Sequence, residues 1–247
     1  MSIILAIESS TDLASVALHP GNGVTGHRVT TGVLSRQVSG VQSHSQSVLP
    51  MVQALLAEAG LRLDQCDAIA FGAGPGSFTG VRTACGIAQG LAYGSGLPVV
   101  AVGTLEATAQ ACRDATGADS VLVALDARMG QVYWAHYRWA SSLKDSQGQW
   151  HPVVAPRLDV PAAVIFSQPA TACGNGFIVH AAALAAVGFT LPARPELMPH
   201  AAQVATLAQR LLAEGKGIAA REAQPIYLRN DVALTTAERD IKRAQTA

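Results

Sequence analysis

The chain has 247 residues, room for one large domain or two small ones, and 49% of them are hydrophobic against 14% charged. That balance excludes a disordered, solvating chain and calls for extensive burial. Lys plus Arg and Asp plus Glu both total 17, whereas a protein that grips RNA by itself carries a basic excess, so a stand-alone nucleic-acid binder is disfavoured.

The N-terminus, Met1 to Glu8, has no basic residue before its apolar run and reads as a strand, not a signal peptide. No stretch reaches the ~18 apolar residues of a membrane span. The expectation is a cytoplasmic chain without a membrane role. Ile3 to Ile7 is the first predicted strand, followed by polar turn residues Ser9 to Asp12. Leu13 to His19 alternates as a second strand and stops at Pro20-Gly21-Asn22-Gly23, strong turn chemistry. Val24 to Thr31 is read as a third strand. Apolar residues at Val48, Leu49, Val52, Leu55, Leu56 and Ala59 predict a helix from about Ser43 to Ala59, stopped by Gly60.

Asp67 to Phe71 reads as a short buried strand running into Gly72-Ala73-Gly74-Pro75-Gly76-Ser77-Phe78-Thr79-Gly80. A second helix follows to about Tyr93, then a strand over Val99 to Val102 and a third helix over Thr104 to Ala115. At Ser120 the pattern restarts. Val121 to Asp126 matches Ile3 to Glu8 in type, an apolar strand ending in a carboxylate. A polar turn (Ala127 to Gly130) and an alternating strand (Gln131 to Trp139) come next. Ser141 to Gln149 is read as polar loop, and Pro152, Pro156 and Pro161 break up the middle of this second half. Thr171 to Phe177 repeats the strand, glycine turn and helix start of Phe71 to Gly74. A closing helix (Ala201 to Glu214) and a strand (Gln224 to Arg229) complete the chain.

The pattern implies an α/β chain of two duplicated lobes, each a mixed sheet flanked by helices, in the manner of the actin/heat-shock-ATPase/sugar-kinase (ASKHA) architecture. The first lobe is placed at 1–105, with about 200–230 packing back on it, and a smaller, degraded second lobe at 106–199. In such an arrangement the strand-end carboxylates Glu8 and Asp126 and the glycine turns face one cleft.

Two features invite chemistry. Glycines bring backbone close to a ligand and helix N-termini favour anions, so Glu8, Ser9, Gly74, Gly76 and Asp126 are candidate nucleotide contacts. The same loop also reads as a tight structural turn, since no Walker or dinucleotide spacing is present, and the carboxylates read equally as turn caps. The second feature is the helix after the loop, where Gly86, Gly90 and Gly94 share one face. Each interior glycine costs about 1 kcal/mol against alanine, which a close helix neighbour can offset. That neighbour lies either in the same chain or in a partner. Cys66, Cys85, Cys112 and Cys173 show no zinc spacing and read as reduced, buried thiols. The seven histidines form no HxxxH or HExxH pair.

Ile4 to Thr11, His44 to Gly60, Phe71 to Arg82 (GPGSFTGVR within it), Gly86 to Ala92, Val123 to Trp134 and Pro225 to Asn230 resemble the TsaB (YeaZ) family over nearly the whole chain, most weakly from about Ala140 to Leu197. The resemblance implies a non-catalytic subunit of the machinery that makes threonylcarbamoyladenosine in tRNA. It would bind the transferase TsaD together with the ATPase TsaE, and itself when alone, reaching tRNA only through the complex. It implies a contact surface on the first-lobe helices, carried onto Val48, Val52, Leu55, Leu56, Val81, Arg82, Ala84, Cys85, Gly86, Gln89 and Gly90. No cofactor is required, with ATP or ADP admissible at the joint site with TsaD. TsaD holds its metal through an HxxxH pair after a strand like Pro98 to Val102, and Thr104 and Thr108 stand at those positions here. Glu8-Ser9 replaces the Asp-Thr of many relatives, which weakens the case for a metal–nucleotide site in this lobe. The alternative is a metallopeptidase-like or nucleotide-hydrolysing enzyme of the same superfamily.

Overall fold

A computed structural model describes residues 2–21, 32–40, 44–142, 145–166, 169–186 and 193–229. Strands β1 (Ile4–Glu8), β2 (Leu13–His19), β3 (Leu34–Ser39), β4 (Ala68–Gly74) and β5 (Val99–Gly103) form a first sheet of order β3-β2-β1-β4-β5. β1 pairs antiparallel with β2 and parallel with β4, which pairs parallel with β5. The central strands are covered on both sides, as parallel pairing demands. The two-residue alternation of β1 divides its side chains between two cores. Ile4 and Ala6 face one, Leu5 and Ile7 the other.

The Leu5 side is covered by α1 (His44–Ala59) and α2 (Phe78–Ser95). Every fourth residue or so of each helix is apolar and buried, including Val48, Val52 and Leu55 on α1 and Ala84, Ala88 and Ala92 on α2. The Ile4 side packs on α3 (Thr104–Thr116) and α6 (Ala201–Ala213), which also meet the second sheet. One core therefore runs from the first sheet through two helices into the second. Arg210 of α6 fastens this layer, 3.3 Å from Glu106 on α3 and 2.6 Å from Gln149.

The second sheet, order β8-β7-β6-β9, is built from β6 (Ser120–Asp126), β7 (Val132–Ser142), β8 (Asp145–Asp159) and β9 (Thr171–Cys173). It repeats the β3-β2-β1-β4 order, with an antiparallel hairpin partner and a parallel return strand. The duplication read from the strand-end carboxylates is thus present in strand order. The short helices α4 (Gly176–Val179) and α5 (Ala181–Leu184) cover its outer side through Phe177 and Leu184.

Three sequence expectations need correction or relocation. The stretch read as polar loop and proline-broken chain is the 15-residue strand β8. Proline is tolerated there because β8 lies at the sheet edge, where a missing N–H costs no ladder bond. The register with β7 shifts between Trp134 and Tyr137, opposite the proline-bearing stretch. Trp150 anchors the strand, edge-on to Trp139 at 5.2 Å and donating to Gln110 Oε1 at 2.9 Å. Gln224 to Arg229 is an irregular strap rather than a strand. Pro225 has no N–H, and Ile226 N to Ala73 O (2.7 Å) is the backbone bond that ties the segment to β4. The third strand expected over Val24 to Thr31 lies outside the described residues, and the hairpin partner of β2 is Leu34–Ser39.

His136, fully buried on β7, meets Ser120 Oγ at 2.9 Å and stands edge-on to Phe166, while its Nδ1 has no partner. Burial, with Arg138 nearby, pushes its pKa below the ordinary 6.5. The unfolded chain therefore binds a proton that the folded chain refuses, and stability from this group is lost as pH falls below that value. Burial pushes His19 and His200 the same way. His136→Asn removes one of these contributions, so the difference in urea midpoint between variant and parent should shift in the variant's favour as pH falls from about 7 to about 5. An unchanged difference would show that His136 takes its proton in both states.

Candidate functional site

A cleft of about 770 Å³ opens between the lobes, where β1, β4 and β6 end. Its first wall is a contact between two turns. The residues after β1 lie directly on the glycine loop after β4. Ser10 O accepts from Ser77 N at 2.7 Å, and Ser9 Oγ donates to Gly80 O at 2.8 Å. A Cβ on Gly72 would collide with the Glu8 carboxyl and one on Gly80 with Ser9 O, while one on Gly76 would lie 2.6 Å from Ser10 O. Gly74, at φ +106°, faces Ile226 O of the strap and donates its N–H to Thr104 Oγ1 at 3.0 Å. The glycines are needed because this chain's own backbone fills the space a ligand would otherwise take.

Glu8 is fully buried and does not line the cleft. Its Oε1 accepts from Ser10 N at 2.5 Å, and its Oε2 has no partner. Burial pushes its pKa up against the opposing pull of its bonds to Ser10 and Ser9, so the neutral acid is favoured. Ser9 is buried as well, its hydroxyl committed to Gly80. Of the five candidate nucleotide contacts, Gly76 and Asp126 reach the cleft surface; Glu8, Ser9 and Gly74 lie behind it.

Asp126 forms the second wall. Its carboxylate accepts from Arg128 N at 3.1 Å and stands 3.0 Å from His180 Nε2, and its own N–H donates to Asn175 Oδ1 at 2.9 Å. The turn beyond it is unusual. Arg128, Met129 and Gly130 succeed one another at φ 62°, 54° and 71°. Two non-glycine residues in the left-handed region cost roughly 1–2 kcal/mol each. Arg229 offsets this from the strap, donating to Ala127 O and to Gln131 Oε1, both at 2.9 Å.

The strap also reaches the first lobe. Tyr227 OH lies 2.6 Å from Arg82 Nε, whose guanidinium stacks 3.5 Å above the Phe78 ring. Sequence reasoning missed this triad, because Arg82 and Tyr227 are separated by 145 positions and share no local pattern.

The two positions that the resemblance marks for a metal pair carry threonines whose hydroxyls are already engaged. Thr108 Oγ1 donates to Thr104 O at 2.8 Å, and Thr104 Oγ1 holds Gly74 N. Both threonines are fully buried, and two committed hydroxyls make a poor donor set for a transition metal. Their bonds close the glycine loop onto α3.

The helix surface expected to meet a partner divides in two. Val48, Val52, Leu55, Leu56, Val81, Ala84 and Cys85 are buried in this chain's own core and present nothing outward. Gln89 is half-buried, its side chain donating to Ala223 O at 3.0 Å. Arg82, Gly86 and Gly90 are exposed. A Cβ on Gly86, Gly90 or Gly94 would meet nothing within 4 Å among the described residues, so the stripe packs against none of the described helices. Leu49 on α1 and Tyr93 on α2, 43% and 85% exposed, complete that outer face.

Glu8→Gln tests the first wall. In the parent, the unfolded chain releases the Glu8 proton above about pH 4.5 while the folded chain retains it, so stability is lost as pH rises through the raised folded value. Glutamine does not titrate. The melting-temperature difference between variant and parent should therefore widen in the variant's favour from about pH 5 to about pH 8; a gap independent of pH would mean the carboxyl ionises inside the fold.

A family model described as TsaD, tRNA N6-adenosine threonylcarbamoyltransferase, matches residues 23–237. The tRNA threonylcarbamoyladenosine biosynthesis protein TsaB of Escherichia coli K12 is 39% identical over 235 residues, covering 93% of this chain and 96% of the relative. TsaB of Haemophilus influenzae is 37% identical over 234 residues, covering 93% and 94%. Among solved structures, YeaZ from Pseudomonas aeruginosa superposes with a TM-score of 0.77 at 36% identity, over 92% of this chain and all of that one. A crystal structure of an uncharacterized protein with similarity to peptidase YEAZ, also from Pseudomonas aeruginosa, gives 0.80 at 37% identity over 93% and 100%. Duplicated mixed sheets, the interlobe cleft and full-length likeness at this identity agree on an ASKHA-type fold, and the chain belongs to the TsaB (YeaZ) family.

Proposed function

We propose that this chain is a non-catalytic subunit in the biosynthesis of threonylcarbamoyladenosine in tRNA, acting by binding and activating the transferase TsaD together with the ATPase TsaE. The observation that carries the reading is the open glycine stripe. Gly86, Gly90 and Gly94 weaken α2, and among the described residues nothing lies within 4 Å of a Cβ added at any of them, which supports their use in a close helix–helix approach by another molecule. The outer faces of α1 and α2 supply that surface, and in the absence of TsaD a second copy would occupy it as a homodimer. The names of the full-length relatives support the pathway. A neutral charge balance supports reaching tRNA through the complex rather than directly, in the cytoplasm. No cofactor is required of this chain, and ATP or ADP belongs to a joint site with TsaD. The committed hydroxyls of Thr104 and Thr108 speak against the metallopeptidase-like alternative, and glycines filled by the chain's own backbone against nucleotide hydrolysis.

Two substitutions separate fold from partnership. Gly90→Ala should raise the melting temperature of the dilute, unpaired protein by about 2–4 °C, the gain of one exposed helical alanine. Gly90→Trp should leave the far-ultraviolet circular dichroism intact while abolishing the larger species that parent protein and TsaD form in size-exclusion chromatography. Co-elution of the tryptophan variant with TsaD would place the contact elsewhere.

A further inference from the structure

We propose that the interlobe cleft is a binding site for a small molecule carrying a phosphate or carboxylate group, with Arg82 and Arg229 as its anion clamp. This goes beyond the partner-binding role, which uses the outer face of α2 rather than the cleft. The volume, about 770 Å³, falls in the range of small-molecule sites.

The charges on the cleft are unequally satisfied. Asp126 is held by His180 and by Arg128, whose Nε lies 3.7 Å away. Asp12 sits exposed at the opposite lip, on the β1–β2 turn. Arg82 and Arg229, by contrast, pair with no carboxylate among the described residues. Arg82 spends its Nε on Tyr227 OH and its π face on Phe78, leaving the two terminal amino groups without an acceptor. Arg229 donates to Met129 Sδ, two carbonyls and one amide oxygen, all neutral, and its buried Nε has no partner.

The buried Nε–H of Arg229, left without an acceptor, is an incomplete arrangement. An oxyanion completes it, since the planar fork matches carboxylate and phosphate oxygens and charge-assisted bonds are the strong ones. Tyr227 and Arg229 are two residues apart on one strap, and Tyr227 grips Arg82, so both cations belong to a single constellation. Leu125, Tyr133, Met198 and Ile226 give the wall an apolar and aromatic share, beside polar Ser10, Thr11, Ser77 and Asn175. The ligand class is therefore an anion on an apolar or aromatic body, a phosphate ester or carboxylic acid, rather than a bare ion.

Titration calorimetry and thermal shift with inorganic phosphate, citrate, phenyl phosphate and ATP test this on the full chain. The expected result is saturable binding of phenyl phosphate, tighter than inorganic phosphate, weakened about tenfold or more by Arg82→Gln and by Arg229→Gln. Arg36→Gln, on β3 and outside the cleft wall, should leave it unchanged. Arg82 is exposed, so R82Q remains decisive should loss of the strap contacts unfold R229Q. ATP or citrate binding that is lost in the same variants would support the proposal and distinguish a phosphate-ester from a carboxylate source. Absence of saturable binding by all four probes, or binding that survives R82Q, would overturn it.

Discussion

The fold turns on the contact between the Glu8–Ser10 turn and the glycine loop at the end of β4. The turn meets the glycine loop closely at Gly76 and Gly80, with the Glu8 carboxyl lying against Gly72, and the contact fixes where α2 begins, because Ser77 both receives the turn and caps the helix. Once that start is set, the helical repeat decides the rest. Ala84, Cys85, Ala88 and Ala92 point into the sheet and Gly86 and Gly90 point out. Closing the contact requires burying the Glu8 carboxyl with one oxygen unpartnered, an unfavourable act that the close backbone packing must outweigh. A loop that resembles a ligand cradle is, in this chain, a structural joint.

The second joint is the strap. The lobes already share the core formed by α3 and α6, so the strap is not needed to hold them together. Its distinctive contribution is to bring a bond to β4, a contact to Arg82 and a cap for the left-handed 127–130 turn into one short segment. Arg82 belongs to α2, one turn before Gly86 and on the same flank by the helical repeat. A change in the position of α2 would therefore be felt both at the strap and along the glycine stripe.

The distance in sequence between cooperating residues decides how much of the fold and site is legible without a structure. Continuous apolar runs such as Ile4–Glu8 and Ser120–Asp126, each ending in a carboxylate, announce their strands, and the repeated strand-end carboxylate announces the duplication. Strand β8 escaped because Pro152 and Pro156 are breakers by local rule, and only an edge position makes them harmless. The strap read as a strand because Ile226 and Leu228 alternate, although one backbone bond ties it to the sheet. The expected interface residues are informative in another way. Apolar spacing on an amphipathic helix marks the side turned inward, so choosing Val48, Val52, Leu55 and Ala84 selected this chain's own core. The informative signal on α2 was a cost rather than an attraction.

That distinction also bears on what kind of surface the chain offers. Apolar burial on α1 and α2 is spent internally, and the outward face is a shallow, small-residue track with Leu49 and Tyr93 beside it. Such a track contributes little hydrophobic area by itself; it permits two helix axes to approach and lets dispersion and backbone contacts accumulate. Alanine at the same three positions would meet no obstacle within the chain and would favour the helix. Among the described residues, glycine at these positions lowers the stability of α2 without a packing return inside the chain, and that uncompensated cost is the ground for proposing a neighbour.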